Sequence, residues 1–281
     1  MSIKIAGIDL GATNIRGAIV SNKILSDVVS AKIHSNGPVE EVLNDIYQVL
    51  DALIDNSVQA IGIGVPSVVD IDKGIVYDVQ YIPSWKEVPL KKHLEARYHL
   101  PVFVNNDANC FAVGEYHFGK NREVKSMIGL TIGTGLGAGV IINEKLFAGN
   151  NCGAGEFGLF NYLDNILEFY CSGSFFQNLY GIDGAQVFID AKSGNQQALA
   201  WYGELGTHIG YAIKMIMYAY DPQLVVLGGS ASLAFDLFKD NMWQEIKTLA
   251  YPKSAERIRV EPSVLANSAI LGAAALYFDA Q

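Results

Sequence analysis

Positive charge is scarce in this chain. Its 281 residues hold 20 Lys and Arg against 29 Asp and Glu, a formal net charge of −9, which argues against a basic footprint for nucleic acid or an anionic membrane. Cysteine is sparser still. Cys110, Cys152 and Cys171 are an odd, scattered set, no basis for a disulfide framework and suited to reduced thiols in a cytoplasmic protein. Apolar runs are broken by Gly, Asp or Lys within strand or short-helix lengths, so no segment reads as a transmembrane span. Met1-Ser2-Ile3-Lys4 leads straight into the first apolar segment, and no secretory signal is expected. Low-complexity stretches are missing as well. Only 17% of residues are charged and half are hydrophobic, which argues against disorder and, at this length, for two packed domains.

What is present in abundance is glycine, at two telling places. Residues 5–20, Ile-Ala-Gly-Ile-Asp-Leu-Gly-Ala-Thr-Asn-Ile-Arg-Gly-Ala-Ile-Val, read as two apolar strands around a short Asp/Gly/Thr turn. Residues 128–142 repeat the strand, glycine turn, strand plan, with Gly11 and Gly17 aligning on Gly133 and Gly139 at one constant offset. A backbone N–H reaches a phosphate oxygen most readily where no Cβ intervenes. Thr13 and Thr134 can add hydroxyl donors. Asp9 is an anion and cannot itself bind phosphate, so its role would be to hold Mg²⁺, directly or through water, against a polyphosphate. Each segment alone also reads as an ordinary β-hairpin with glycine at its bend. Their repetition favours a two-lobed nucleotide-binding enzyme.

The rest of the chain alternates strands and helices. Val42, Leu43, Ile46, Val49, Leu50 and Leu53 give residues 39–54 a helical rhythm. A buried strand over 60–65 ends at Pro66. Residues 70–88 read as a loop and residues 90–98 as a helix. A strand over 101–105 halts at Asn106-Asp107 before a helix from Ala108 to about His117. In the second half a strand falls at 224–227, and another at 257–261 buries Ile258 and Val260. Small and apolar residues over 269–278 suit a buried helix.

These motifs, in order and spacing, resemble the ROK family of sugar kinases, within the actin, Hsp70 and hexokinase superfamily. The resemblance covers nearly the whole chain. It is carried by Asp9-Leu10-Gly11-Ala12-Thr13, Gly62-Ile63-Gly64-Val65-Pro66, Asn106-Asp107-Ala108-Asn109, Thr131-Ile132-Gly133-Thr134-Gly135-Leu136-Gly137, Gly155-Glu156-Phe157-Gly158 and Leu227-Gly228-Gly229. It implies an α/β, two-lobed ribonuclease H-like (actin-like ATPase) fold with duplicated βββαβα domains. The first lobe would span residues 1–118, joined by a C-terminal helix at 266–281, and the larger second lobe residues 119–265. It also implies a homodimer.

Asp107 sits where a strand ends and a helix begins, which suits a helix cap as well as a catalytic group. The resemblance implies the latter: a general base that accepts the proton of a sugar hydroxyl as its oxygen bonds phosphorus. It further implies that Asn106, Glu156 and Glu168 contact the sugar. Glu168 equally suits a solvated helix position. Asp9, Gly11, Thr13, Gly133, Thr134 and Gly135 would serve the nucleotide phosphates. Gly228 and Gly229 would let adenosine lie on bare backbone, although the pair also suits a plain turn.

Departures from the family pattern bear on specificity. Relatives commonly carry Glu-x-Gly-His followed by a cysteine-rich zinc motif. Here the His position is Leu159, and Cys152 and Cys171 have no nearby His, too few ligands for structural zinc. Tyr81 stands where many relatives have Asn, Ser67 where many have Gly, and Asn14 where Lys is common. The expected activity is an ATP- and Mg²⁺-dependent hexose kinase acting on the 6-hydroxyl of glucose or a related hexose, with sugar and nucleotide its small-molecule partners. N-acetylmannosamine or N-acetylglucosamine is the alternative substrate class. A non-enzymatic sugar-sensing relative is the alternative function. Repressors of the family carry a helix-turn-helix ahead of the first turn, whereas here that turn begins at Asp9, and the acidic balance disfavours DNA.

Overall fold

The computed structural model describes residues 3–11, 13–120 and 123–281. The elements begin with β1 (Lys4–Leu10), β2 (Asn14–Ser21), β3 (Ile24–Leu25), β4 (Val29–Lys32), α1 (Val39–Leu53) and β5 (Ala60–Val65). They continue with β6 (Val68–Asp70), β7 (Ile75–Tyr77), β8 (Glu87–Val88), α2 (Leu90–Tyr98), β9 (Val102–Asn106) and α3 (Asp107–Phe118). Next come β10 (Ser126–Ile132), β11 (Leu136–Ile142), β12 (Lys145–Leu146), β13 (Asn161–Tyr162), β14 (Asn165–Ile166), α4 (Leu167–Cys171) and α5 (Phe175–Tyr180). The chain ends with α6 (Gly184–Lys192), α7 (Gln196–Tyr220), β15 (Leu224–Gly228), α8 (Phe235–Ile246), α9 (Pro252–Arg257), β16 (Arg259–Pro262) and α10 (Ser268–Asp279). Among the described residues no helix is long and apolar enough to cross a membrane.

Two compact units result. The first comprises residues 1–123, 139–154 and 265–281, the second residues 124–138 and 155–264. Motif spacing divides the chain at 118–119 and 265–266, yet residues 139–154 pack within the first unit. A Cβ on Gly139 would lie 2.6 Å from Ala112 Cβ on α3. The Lys145 ammonium donates to the Asp279 carbonyl at 2.8 Å, and the Cys152 thiol to Asn105 Oδ1 at 3.2 Å. Such contacts between segments far apart in sequence leave no local signature.

The first unit is built on a six-stranded sheet of order β3-β2-β1-β5-β9, with β4 also paired to β2. β1 runs antiparallel to β2 and parallel to β5, which runs parallel to β9. Side chains alternate across this sheet. Ala6, Ile8 and Leu10 enter the core with Val42, Ile46 and Leu50 of α1, while Ile5 packs with Leu271 and Ala274 of α10. Residues 70–88, expected as a loop, instead carry β7 and β8, which join β6 in a three-stranded antiparallel sheet. Val76, Ile82, Trp85 and Val88 are buried there. Strands of two or three residues are too short to display a period of two.

In the second unit β10, β15 and β16 run parallel, with Thr131 opposite Gly228 and Val225 opposite Val260. Both units therefore present the carboxyl ends of parallel strands, where open α/β sheets bind ligands.

Helix α10 reaches the first sheet only because glycine stands beneath it. A Cβ on Gly62 of β5 would fall 1.8 Å from the Ala273 carbonyl oxygen, and one on Gly272 would fall 1.7 Å from the Cys110 carbonyl oxygen of α3. Backbone oxygens cannot move aside as a flexible side chain can. Gly62→Ala is expected to destabilise the fold by about 1–3 kcal/mol or more in urea unfolding. Gly153→Ala, with no heavy atom within 4 Å of the new carbon, should stay within roughly 0.5 kcal/mol.

Candidate functional site

The register of the first sheet lines up its candidate residues. Asp9 of β1 lies opposite Gly64 of β5, Gly64 opposite Asn105 of β9, and Val65 opposite Asn106. Asp9 and the Asn106-Asp107 step thus occupy the carboxyl edge two strand spacings apart, about 10 Å. A Cβ on Gly64 would come 3.6 Å from Asp107 Cα, so the bare glycine clears the space beside the acid. The buried Cys110 thiol reports both acids. Burial, followed by the negative charges of Asp107 and Asp9, pushes it well above the ordinary thiol range.

Asn106 is the N-cap of α3. Its Oδ1 accepts from the amides of Ala108 (2.9 Å) and Asn109 (3.3 Å), and its Nδ2 donates to the Ser67 carbonyl at 3.3 Å. Capping, which sequence leaves open to Asp107, therefore falls to its neighbour. Asp107 is the first residue of the helix and takes the Ala108 amide on Oδ1 at 2.8 Å. Amides at a helix N-terminus favour negative charge there.

Beneath this step lies a polar knot invisible in the motif. Asn105 Oδ1 accepts from the Asn106 amide (2.9 Å), Asn109 Nδ2 (2.9 Å) and the Cys152 thiol (3.2 Å). Asn105 and Asn109 are buried. Asn105 Oδ1, with three donors, fixes the orientation of the strand end, whereas Asn109 Oδ1 has no partner among the described residues, and a buried polar group left unpaired costs about 1–3 kcal/mol.

The first glycine turn closes on itself. The Gly11 amide donates to the Asn14 carbonyl at 2.9 Å, and Asn14 Nδ2 donates to Thr13 Oγ1 at 3.0 Å. Asp9 is ion-paired with Arg16, its cross-strand partner, at 2.6 Å. Arg16 carries no motif signal; its position opposite Asp9 in a hairpin was the available clue.

The second unit gathers the other candidates. The Gly133 amide closes its turn on the Gly135 carbonyl at 3.0 Å, and Gly133 in turn accepts from the Gly173 amide at 2.6 Å. The amides of Thr134 and Gly135 have no acceptor among the described residues and are the donors available to a phosphate. Glu168 is not a solvated helix residue. Its Oε2 accepts the Leu136 amide at 2.8 Å and would sit 2.6 Å from a Cβ on Gly135, so a side chain there would displace the carboxylate from that amide. Glu156 precedes a 3-10 turn at Phe157–Leu159. Crowding around its carboxyl, reinforced by the charge of Glu168, raises its pKa above the ordinary Glu value. Gly228 ends β15, and Gly229 adopts φ +74°, where a Cβ would meet the Ile132 carbonyl at 2.4 Å. Beside this turn opens a cavity of about 570 Å³ bounded by Gly133, Thr134, Ser230, Phe176, Phe188 and Tyr202. The departures Leu159 and Tyr81 are both exposed.

Among the described residues no group of three or more His, Cys, Asp or Glu could hold a metal ion. The segment after Glu156 is held by the hairpin β13–β14 and by Tyr162, whose ring packs on Tyr211 and His208 at centroid distances of 4.5 and 5.6 Å. Burial lowers the His208 pKa, the effect of Glu204 opposing it less strongly. Purified protein should contain well under one zinc per chain by elemental analysis, and a chelator should leave its melting temperature unchanged; one zinc per chain would contradict this.

Comparison with known proteins bears on the family and the fold. A model of the ROK family matches residues 5–280. The chain is 30% identical to a glucokinase of Streptomyces coelicolor, over 86% of each protein. It is 27% identical to a xylose repressor of Caldicellulosiruptor bescii, over 95% of this chain and 76% of the repressor. A crystal structure of a ROK family glucokinase from Streptomyces griseus with glucose and AMPPNP superposes with a TM-score of 0.82 at 26% identity, over 97% of this chain and 98% of that one. The chain belongs to the ROK family and has the mixed α/β fold of its sugar kinases, within the actin-like ATPase superfamily.

Proposed function

We propose that this protein is a cytoplasmic ATP-dependent hexose kinase that transfers the γ-phosphoryl group to a sugar hydroxyl, the 6-hydroxyl of glucose or a related hexose. The observation that carries the reading is Asp107, an acid at a helix N-terminus whose capping duty is taken by Asn106. The glucokinase relatives support it. Three free, buried cysteines suit a reducing compartment.

In this reading Asp107 accepts the proton of the attacking hydroxyl as the new O–P bond forms and the bond from the γ-phosphorus to the β,γ-bridging oxygen breaks, releasing ADP. Asn106 keeps one Nδ2 hydrogen for a sugar hydroxyl, and Glu156 and Glu168 accept from others. Thr134 and Gly135 amides cradle phosphate, Thr13 adds a hydroxyl, Gly11 closes the first turn with no side chain in the way, and adenosine lies along Gly228 and Gly229. Asp9 suits Mg²⁺, a metal that keeps most of its waters and phosphate ligands and asks one carboxylate of the protein; bound there, it would neutralise developing phosphate charge. Arg16 orients that carboxylate.

N-acetylhexosamines are the alternative substrates, because Leu159 supplies no hydrogen bond where relatives carry His. A second reading, a sugar-responsive regulator without turnover, is favoured by the likeness to a xylose repressor. An ADP-release assay over hexoses and N-acetylated hexosamines separates the readings: sugar binding without ADP release for any sugar would support the regulator.

Replacing Asp107 with Asn should lower turnover by roughly two or more orders of magnitude with sugar and nucleotide binding retained; near-normal turnover would remove Asp107 from the mechanism. A second expectation concerns pH. Because its pKa is raised, Glu156 takes up a proton at higher pH than an ordinary Glu, and a neutral carboxyl is a weaker acceptor. The sugar KM should therefore climb as pH falls, starting above the usual Glu range, and Glu156→Gln should flatten that arm of the profile.

A further inference from the structure

Between Glu156 and Glu168, the two glutamates proposed for the sugar, the chain forms an exposed strap. A 3-10 turn at Phe157–Leu159 leads into the hairpin β13–β14, and α4 follows with Glu168 as its second residue. Leu159, Phe160 and Leu163 are exposed, and a hairpin of two-residue strands does not hold its shape by itself. Asp164 accepts from the Tyr170 hydroxyl, which closes the strap on the adjoining α4. Two rings tie it to α7. Phe157 packs edge-on against Tyr220 with centroids 5.8 Å apart, beside Glu156. Tyr162 of β13 lies 4.5 Å from Tyr211 and 5.6 Å from His208 between centroids, and its hydroxyl meets His208 Nδ1 at 3.0 Å. Among the described residues this is the one side-chain hydrogen bond from residues 157–166 to α7.

The bond has a defined direction. Burial pushes the Tyr162 phenol up to about 12 and the His208 imidazole below its ordinary value, so at neutral pH the phenol keeps its proton and the ring is uncharged. Glu204 Oε1 lies 3.9 Å from Nε2 and draws the ring proton to that side, leaving Nδ1 as the acceptor. A phenyl ring would pack on Tyr211 as well as Tyr162 does, so the hydroxyl contributes orientation rather than area. That orientation reaches Glu168 through the backbone. Asn161 pairs with Ile166, and the Leu167 amide donates to the Phe160 carbonyl at 2.8 Å, one residue before the glutamate. We propose that the Tyr162–His208 hydrogen bond is a positioning contact for sugar recognition, setting the hairpin from which Glu168 projects so that it and Glu156 meet one sugar together. This rests on the sugar contacts proposed above for the two glutamates, and Tyr162 and His208 act through them.

The test compares the unaltered protein with Tyr162→Phe, which removes the hydroxyl and keeps the ring, with His208→Asn, whose side-chain oxygen stands in for Nδ1 as acceptor, and with His208→Leu, which offers none. Binding is read by calorimetry with whichever of glucose, mannose and N-acetylglucosamine the unaltered protein binds most tightly, and kinetics use that sugar with ATP. Tyr162→Phe and His208→Leu should weaken sugar binding and raise the sugar KM about three- to tenfold, as for loss of one hydrogen bond. Their kcat and ATP KM should change by less than about twofold, and His208→Asn should recover most of the lost sugar affinity. Unchanged sugar affinity in Tyr162→Phe would overturn the proposal, as would equal affinity in His208→Asn and His208→Leu. Parallel losses of sugar and ATP binding with a lowered melting temperature would mark a merely structural pair and overturn it too. Those outcomes leave the sugar contacts standing. If the unaltered protein binds none of the three sugars, or if Glu156→Gln and Glu168→Gln both bind sugar normally, the sugar contacts themselves fall and the proposal with them.

Discussion

The close approach of helix α10 to strand β5 and helix α3 is the constraint on which the first unit depends. At Gly62 and Gly272 the backbones come nearer than any side chain allows. Gly7 and Gly114 extend the same contact, with hypothetical Cβ atoms 2.3 Å from the Ile270 carbonyl and 2.6 Å from the Ser268 carbonyl. Helix α3 is thereby held against a helix that is itself seated on the sheet. Its N-terminus carries Asn106 and Asp107, so the position of the proposed base follows from backbone packing some residues away. Interiors packed this closely do not deform by small degrees.

On that frame the local chemistry is a division of labour between adjacent residues. Asn106 caps the helix and Asn105 ties the strand end to Asn109 and Cys152. Asp107 is left at the position where helix amides favour its charge. The buried thiols fit the same picture: burial raises both Cys110 and Cys152, which leaves them protonated and able to act as neutral filling and a weak donor.

The second unit solves a parallel problem by different means. Its glycine turn is braced from behind by the Gly173 amide and the Ser174 hydroxyl, and from the side by Glu168. The brace holds the turn with the Thr134 and Gly135 amides lacking an acceptor among the described residues. Glu168 both shapes the turn and sits close enough to Glu156 to raise its pKa, so the sugar contact proposed for it and its place in the scaffold fall on one carboxylate.

Sequence alone determined the strands at 60–65 and 224–227, helices α1, α2 and α10, both glycine turns, and the family, because each rests on short-range periodicity or on side chains that only one backbone conformation accepts. It placed the Asn106-Asp107 step at a strand-to-helix boundary but could not say which residue caps, since both side chains can do so. Tertiary structure alone decided that the Gly11 and Gly133 amides close their own turns, that Glu168 reaches the Leu136 amide, that Arg16 faces Asp9 and that residues 139–154 join the first unit. The physical reason is common to all of these. A hydrogen bond between groups distant in sequence depends on where two backbones pass, and passage is set by packing that no local window of residues contains.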